Sequence, residues 1–293
     1  MCKMGFTCMF LLFMVCMLSI LVLGSSDRLC TSGDQLRENE NFYDHVSETK
    51  LARRKWSTIA FSSTKNLRTD ARKKDMPHIL GPMGPPCKPE HSLILGGQQL
   101  NNSAGLRGQD GQKASCGLAS HTACSIFSIG SYNEWSFEES IFDKTSCNVV
   151  AFDCMLDSGI QVPSRVQSRV RGYDVCLGPR DETINGRVFK SWESIVQLTG
   201  ITAPPVYLKM DIEGYEWQVL DDIVSSQSFN PKQIAFELHW GKSERVPFTP
   251  AQMAGFFQNL YEKGGYFVVD RVDNPVCFFC MDLLISSFCP VQK

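Results

Sequence analysis

The stretch Val206–Leu220 constrains the fold of this chain more than any other part of the sequence. It begins with the residues of a buried strand, VYLKM, and then turns into a group of carboxylates. A helix follows at once, because apolar residues recur there at spacings of three and four on one face. In an open parallel sheet, ligands bind at the carboxyl ends of strands, where such a strand-to-helix turn lies. The stretch therefore predicts an α/β fold with a candidate site at this turn.

Three acids in this turn, Asp211, Glu213 and Glu216, are candidates for that site. Gly214 would let a ligand approach the backbone closely, since it has no side chain. The same acids could instead cap the new helix and complement its dipole. Both interpretations stay open from this stretch alone.

From Ala114 onward, strand and helix patterns alternate, which predicts βαβ units and a parallel sheet. Ser136 has the spacing of a capping box with Glu139. Ser191 and Thr249 are further predicted helix starts, and Gly200 and Gly264 are predicted stops. The predicted strands are Ser125–Ile129, Asn148–Phe152, Gly172–Leu177, Arg187–Phe189 (an edge strand), Val206–Met210, Gln233–Leu238, Tyr266–Asp270 and Cys280–Ile285.

The first predicted strand, its turn, the next helix and a second strand ending in Asp153 form a nucleotide-binding half. Dinucleotide folds usually carry three glycines in this turn, so that the backbone can approach a pyrophosphate. Here the turn has a single glycine, Gly130, which suits a nucleoside cofactor without a pyrophosphate. Asp153, 23 residues after Gly130, is placed to bind the hydroxyls of a ribose. Together with the acidic turn, these features favour S-adenosylmethionine over NAD.

Four stretches carry a resemblance to a known family: SIGSYNEWSFEESIF (Ser128–Phe142), VVAFD (Val149–Asp153), LKMDIEGYEWQVL (Leu208–Leu220) and QIAFELHW (Gln233–Trp240). They resemble the FkbM-related methyltransferase domain. More specifically, they resemble its animal branch of methyltransferase-like proteins with a secretory or membrane N-terminus. The resemblance covers Cys116–Phe288.

This resemblance implies a Rossmann-like class I methyltransferase fold. Such a fold has a seven-stranded, mostly parallel sheet with an antiparallel last strand and helices on both faces. It implies S-adenosylmethionine as the cofactor. By position, Gly130, Ser131 and Glu134 would lie along the cofactor, Asp153 at its ribose, and Asp211 and Glu213 near the methyl group. The turn lacks the glycine-rich loop of better-known methyltransferases, and this departure bears most on the contacts expected for the turn.

Microbial members of the family methylate hydroxyl oxygens, which suggests an oxygen acceptor on a small molecule or glycan. An alcohol must lose its proton on methylation, so a carboxylate or a histidine within hydrogen-bond reach is expected. Asp211, Glu213 and His239 are the candidates at strand ends. His239 could also be a structural histidine.

The chain divides into three predicted regions: 1–24, 25–112 and 113–293. The first contains the apolar run Phe6–Leu23, which is either a single-pass membrane anchor or a cleaved signal peptide. The second is polar and is expected to be a flexible stalk, with a glycosylation pattern at Asn101. The third is the methyltransferase domain. Of 13 cysteines, ten follow the apolar run, and this even number fits an oxidising compartment such as the secretory pathway.

The formal net charge of -2 gives no basic footprint, so no nucleic-acid partner is expected. Cys277 and Cys280 have the spacing of a zinc or redox pair, but no second pair follows, so no metal site is predicted. Two rival interpretations remain. One is a catalytically inactive binding or scaffold protein with the same fold, and the other is a nicotinamide-dependent oxidoreductase, which the single glycine disfavours.

Overall fold

A seven-stranded sheet forms the centre of the fold. It is seen in a computed structural model that describes residues 47–56, 73–101, 107–226, 229–240, 249–272 and 280–287. In chain order the strands are β1 (Ser92–Leu95), β2 (Gln98–Asn101), β3 (Arg107–Asp110), β4 (Lys113–Cys116), β5 (Ser125–Ile129), β6 (Asn148–Asp153), β7 (Val170–Asp174), β8 (Cys176–Leu177), β9 (Glu182–Ile184), β10 (Arg187–Lys190), β11 (Tyr207–Met210), β12 (Gln233–His239), β13 (Tyr266–Val272) and β14 (Cys280–Ser287). The α-helices of these ranges are α1 (47–56), α2 (Met76–Leu80), α3 (Ser136–Lys144), α4 (Trp192–Thr199), α5 (Glu216–Ser226) and α6 (Pro250–Gly264).

The strand order across this sheet is β13-β14-β12-β11-β5-β6-β7. Parallel pairing joins β7, β6, β5, β11 and β12 in turn. Only the last strand, β14, is antiparallel to its neighbours β12 and β13. The chain therefore starts in the middle of the sheet, fills one edge, crosses back and fills the other. This is the Rossmann-like class I methyltransferase topology, so the predicted fold is confirmed.

Both faces of the sheet are covered. On one face α4, α5 and α6 contribute Trp192, Trp217 and Phe257 to a large apolar core. On the other face α3 contributes Phe137, and the antiparallel pair of β1 and β4 contributes Leu95. A sheet enclosed in this way has strands that read as continuous apolar runs, which is why its central strands were visible in the sequence.

All four residues of the central strand β11 are buried. Leu208 and Met210 belong to one core and Tyr207 to the other, as the two-residue period of a strand requires. Lys209 is on the same face as Tyr207 and is only 6% exposed. The strand therefore brings a buried cation to the turn that follows it.

Part of the segment expected to be a flexible stalk packs against this domain. Met76, Ile79 and Leu80 of α2 join the large core, and a disulfide between Cys87 and Cys116 ties the segment to β4. The structure thus differs from the expected domain boundary at residue 113. The physical reason is that the burial comes from contact with the sheet and α6, and the local composition gives no sign of such a contact.

Several elements differ from their predicted form. Helix α3 has Trp135 as its N-cap and no side-chain cap, so the capping box predicted at Ser136 is wrong. The predicted strand Gly172–Leu177 divides into β7 and β8, because the N–H of Val175 folds back to the carbonyl of Tyr173. The predicted edge strand Arg187–Phe189 is instead the middle strand of a small sheet with β8 and β9. The starts of α4 and α6 are confirmed.

Most of the residues that carry the predictions for the N-terminal regions lie outside the ranges that the structure describes. The apolar run Phe6–Leu23 lies outside the described residues, as do Asn102 and Ser103 of the glycosylation pattern. In the ranges that the structure describes, we find no helix with the length and apolar character needed to cross a bilayer. The anchor or signal, and the glycan at Asn101, stay predictions.

Candidate functional site

The predicted site residues lie at one edge of the sheet, where β5, β6, β11 and β12 end. The turns after β5 and β11 share an unusual backbone conformation, with positive φ angles at Gly130, Tyr132, Asn133, Glu213 and Gly214. Residues other than glycine rarely adopt this conformation, and they keep it only where the surrounding structure imposes it. Such strain is often found at functional sites, and here it marks the edge that the sequence indicated.

Gly130 brings the first and central turns into direct contact. A Cβ atom at this residue would lie 1.9 Å from the carbonyl oxygen of Asp211. The N–H of Asp211 in turn donates to the carbonyl of Ile129 at 3.1 Å. The predicted cofactor residue Gly130 is therefore also required by the close approach of two strand ends.

A cluster of buried polar side chains lies beneath this first turn, and the sequence analysis did not predict it. The Nζ of Lys209 donates to the carbonyl of Gly130 at 2.6 Å and to that of Ile129 at 3.3 Å. Beside it, the hydroxyl of Ser128 donates to Glu138 at 2.5 Å. Burial raises the pKa of Glu138, against the opposing charge of Lys209. Together these groups fix the backbone of the turn from below.

Asp153 is buried at the end of β6 and accepts one hydrogen bond on each carboxylate oxygen. The donors are the N–H of Tyr132 at 2.6 Å and the N–H of Met155 at 2.7 Å. Because a carboxylate oxygen has two lone pairs, each can accept a further bond. The side chains of Tyr132 and Met155 are 70% and 47% exposed, so apolar surface lies near the acid. A disulfide between Cys154 and Cys176 holds the adjoining loop.

Ser131 and Glu134, the other two residues expected along the cofactor, differ in whether their side chains have hydrogen-bond partners in the protein. Ser131 is 4% exposed, and its hydroxyl has no hydrogen-bond partner among the described residues. Glu134 accepts bonds from the N–H and the hydroxyl of Ser136 at 2.8 and 2.9 Å, so it serves the start of α3. An unpaired buried polar group costs about 1–3 kcal/mol, which makes Ser131 the better candidate for a ligand contact.

In the central turn, the functional and capping interpretations apply to different acids. Glu216 is fully buried, and its two oxygens accept the N–H groups of Ile212 at 2.9 Å and Gly214 at 2.8 Å. It therefore holds the turn together. The side chain of Glu213, in contrast, is 77% exposed.

His239, the last residue of β12, lies between these two acids. Its Nδ1 is 3.1 Å from Oε1 of Glu216, and its Nε2 is 3.7 Å from Oε2 of Glu213. Burial alone would lower the pKa of His239, but the hydrogen bond to Glu216 and the surrounding carboxylates raise it to about 9. The ring is therefore a cation at neutral pH, which disfavours it as a base.

Asp211 belongs to a second cluster of buried charged side chains, together with Glu237 of β12 and Lys113 of β4. Burial and the charge of Asp211 raise the pKa of Glu237 to about 8. Burial also acts to raise the pKa of Asp211, but Lys113, its other cationic neighbours and a hydrogen bond from Glu237 keep it below the usual value. Lys113 is itself paired with Asp282 at 2.5 Å. Within this pair, a proton is therefore held on Glu237 in preference to Asp211.

The structure brings Asp211, Glu213 and His239 together, as predicted from their strand-end positions. The sequence reasoning missed Lys113 and Glu237. A signal for Glu237 existed, since it lies two residues before His239 on the same face of β12. No comparable signal marks Lys113, which lies in a short strand next to the expected stalk.

The cysteines are consistent with the oxidising compartment expected from their even number. All seven in the described ranges are disulfide-bonded: Cys87, Cys116, Cys124, Cys147, Cys154, Cys176 and Cys280. Of the two cysteines with the spacing of a zinc or redox pair, Cys280 is disulfide-bonded, while Cys277 lies outside the described residues.

Comparison with known proteins agrees with the resemblance over the central part of the chain. Residues 193–267 match the family described as the Methyltransferase FkbM domain. This range contains Asp211, Glu213, Glu216, Glu237 and His239. No curated protein matches the chain.

Solved structures similar to the chain include several methyltransferases. A methyltransferase FkbM from Methylobacillus flagellatus KT is 15% identical with a TM-score of 0.37, and the match covers 55% of this chain and 44% of that one. A SAM-dependent methyltransferase from Aquifex aeolicus is 15% identical with a TM-score of 0.32, covering 56% and 82%. The fibrillarin pre-rRNA processing protein of Methanococcus jannaschii is 12% identical with a TM-score of 0.38, covering 58% and 68%. This chain thus spans less than half of the Methylobacillus protein.

Proposed function

We propose that this protein is an S-adenosylmethionine-dependent methyltransferase that acts on a hydroxyl oxygen of a small molecule or glycan. One observation carries the proposal. The carboxylates Asp211 and Glu213 converge with His239 at the carboxyl edge of a class I methyltransferase sheet, within the stretch that matches the FkbM domain. This is the edge where ligands bind in open α/β sheets.

The residues near Asp153 fit a nucleoside cofactor. Asp153 retains acceptor capacity on both oxygens for a pair of ribose hydroxyls, and the buried hydroxyl of Ser131 lacks a protein partner in the described ranges. The first turn has one glycine, and the space beside that glycine is filled by the approach of Asp211, which leaves no glycine-rich cradle for a pyrophosphate. When bound, S-adenosylmethionine supplies an electrophilic methyl group on a sulfonium. The site thus favours it over NAD.

Glu213 is the carboxylate best placed to take the proton of an acceptor. It is largely exposed at the turn, whereas Asp211 accepts a hydrogen bond from Glu237 and Glu216 is committed to the backbone. The protonated His239 lies 3.7 Å from Glu213 and can orient it. Asp211 then contributes a fixed negative charge beside the reacting groups. General-base assistance of this kind contributes about 10²–10⁴-fold in rate.

The disulfides support a secretory setting for this activity. Disulfides persist in the secretory pathway and outside the cell, and they are rare in the cytosol. Seven bonded cysteines in the described ranges therefore favour a luminal or secreted enzyme. The apolar N-terminal run, as an anchor or a signal, would direct it there.

The test begins with cofactor binding by the full chain produced in animal cells. We expect S-adenosylmethionine, but not NAD, to raise the thermal unfolding temperature; saturation at 100-fold its Kd adds ~2.7 kcal/mol to the stability. Asp153→Ala should weaken binding about tenfold or more, since bonds to a charged group contribute ~1.5–3 kcal/mol. Asp143→Ala, which removes an exposed acid of α3, is the matched control. Equal binding by both variants would contradict the assignment of the cofactor site.

Transfer is then measured with methyl-labelled cofactor and a mixture of glycans and small hydroxyl compounds. Glu213→Gln and Asp211→Asn should preserve cofactor binding yet lower labelling by ~10²-fold or more. If the cofactor binds and no acceptor is labelled by the wild-type protein, the alternative function of an inactive binding or scaffold protein is favoured.

A further inference from the structure

Three carboxyl groups lie side by side across neighbouring strands at the carboxyl edge of the sheet. Met210 of β11 is paired with Phe236 of β12, so the next residues of these two parallel strands, Asp211 and Glu237, are neighbours. In the antiparallel pairing of β12 with β14, Glu237 lies opposite Asp282. Side chains at paired positions point to the same face of a sheet. Glu237 is therefore the middle member of a row of three acids.

The two acids that flank Glu237 have different partners. Asp282 is paired with Nζ of Lys113 at 2.5 Å, and Lys113 is only 1% exposed. Asp211 instead accepts a hydrogen bond from Glu237. Ionised carboxylates only accept hydrogen bonds, so a bond between two carboxyl groups requires that one of them carries a proton. The cation thus serves one end of the row, and the proton of Glu237 serves the other.

Burial agrees with the placement of this proton on Glu237. Glu237 is 6% exposed, whereas Asp211 is half-buried. Burial and the charge of Asp211 raise the pKa of Glu237 to about 8. Cys280 contacts Glu237 from β14, but it is disulfide-bonded and does not titrate. The other charged groups that face Glu237 are Lys113, Asp282 and His239.

We propose that Glu237 is a positioning residue for methyl transfer, whose proton holds the carboxylate of Asp211 in one orientation at the edge of the sheet. This role rests on the proposed function, in which Asp211 is a fixed negative charge beside the reacting groups and Glu213 takes the proton of the acceptor. When Glu237 loses its proton, the hydrogen bond is lost and two adjacent carboxylates repel each other. A displacement of about 1 Å in such a group costs up to about 10²-fold in rate.

The pH profile of transfer separates this role from a purely structural one. The hydrogen bond is present below the pKa of Glu237, about 8, and is lost as the pH rises through that value. Transfer by the wild-type protein should therefore fall by about tenfold or more on the alkaline side. The pKa of His239 is about 9, so the loss of its charge follows at higher pH.

The experiment compares two substitutions of Glu237 in the full chain, with methyl-labelled S-adenosylmethionine and a mixture of glycans and small hydroxyl compounds. The amide of Glu237→Gln donates a hydrogen bond but does not titrate. This variant should retain transfer at pH 7 and should lose activity only where His239 loses its charge. Glu237→Leu has no donor and should transfer about tenfold less at every pH. Glu193→Gln, the same change at an exposed acid of α4, is the matched control and should keep the wild-type profile.

The affinity for S-adenosylmethionine at pH 7 is measured on all four proteins and should be similar, which shows that each is folded. If Glu237→Leu does not fold, the profile of Glu237→Gln decides alone. A wild-type profile without an alkaline fall, or the same fall in Glu237→Gln, would overturn this inference and leave the proposed function standing. A wild-type protein that binds no S-adenosylmethionine, or labels no acceptor at any pH, would overturn the proposed function and the role of Glu237 with it.

Discussion

Replacing Gly130 by alanine tests whether contact between two strand ends organises the site. Gly130 has a φ of 77°, and a Cβ atom there would lie 1.9 Å from the carbonyl oxygen of Asp211. The left-handed conformation alone costs an L-residue about 1–2 kcal/mol. The obstacle is backbone, so no side chain can move aside, and overpacking of this kind adds about 1–3 kcal/mol. We expect a total loss of about 3 kcal/mol.

Gly200 provides the matched control, because its φ is 67° and a Cβ atom added there would have no neighbouring atom within 4 Å. Gly200→Ala should cost only the conformational penalty of about 1 kcal/mol. Since a domain of this size loses about 2–4 °C per kcal/mol, thermal unfolding should fall by about 10 °C in Gly130→Ala and about 3 °C in Gly200→Ala.

Cofactor affinity separates the two variants further. Gly130→Ala must displace either its own turn or the start of the central turn, so it should also weaken S-adenosylmethionine binding in the folded protein. Gly200→Ala should not, because Gly200 ends α4 away from these turns. Equal losses of stability in the two variants, with unchanged affinity in both, would refute the close approach as the organising contact.

Three further predictions concern the buried charges and the disulfides. Lys113→Met should cost about 3–5 kcal/mol in urea unfolding, because it leaves buried carboxylates unpaired; adding Asp282→Leu should recover part of this loss, and no recovery would contradict the pairing. Burial raises the pKa of Glu138, so its favourable contribution is present below pH 4.5 and is lost as the pH rises through the folded value. Glu138→Gln should therefore gain stability relative to the wild type between pH 4.5 and pH 7, and a constant difference in urea unfolding would argue against it. Replacing Cys154 and Cys176 together by serine should lower the unfolding free energy by about 2–4 kcal/mol and weaken cofactor binding at Asp153, whereas unchanged affinity would separate the disulfide from the site.

Much of the domain could be predicted from the sequence, because the relevant signals are local. Continuous apolar runs marked β5, β6, β11 and β12, since both faces of the sheet are covered. The position of an acid or a histidine at the end of such a run predicted that Asp153, Asp211 and His239 share one edge. Parallel strands then bring those ends together whatever the intervening loops contain.

The roles of the individual acids depended on the tertiary structure. The pattern of the turn alone left capping and function open for Asp211, Glu213 and Glu216. The structure assigned Glu216 to the backbone and left Glu213 exposed. This division depends on φ angles and on His239, which is 23 residues from Glu216, so no local pattern could carry it.

The sequence by itself thus determined the central strands β5, β6, β11 and β12, their carboxyl edge and the residues proposed as candidates there, because periodicity and turn chemistry act over a few residues. Only the tertiary structure decided that β1 and β4 cover one face and that Lys113 pairs with Asp282, 169 residues away. A cation in a short polar segment looks like a solvated side chain until the fold buries it. Its burial is stabilised by carboxylates at the ends of strands far along the chain, and that pairing is a property of the packed sheet.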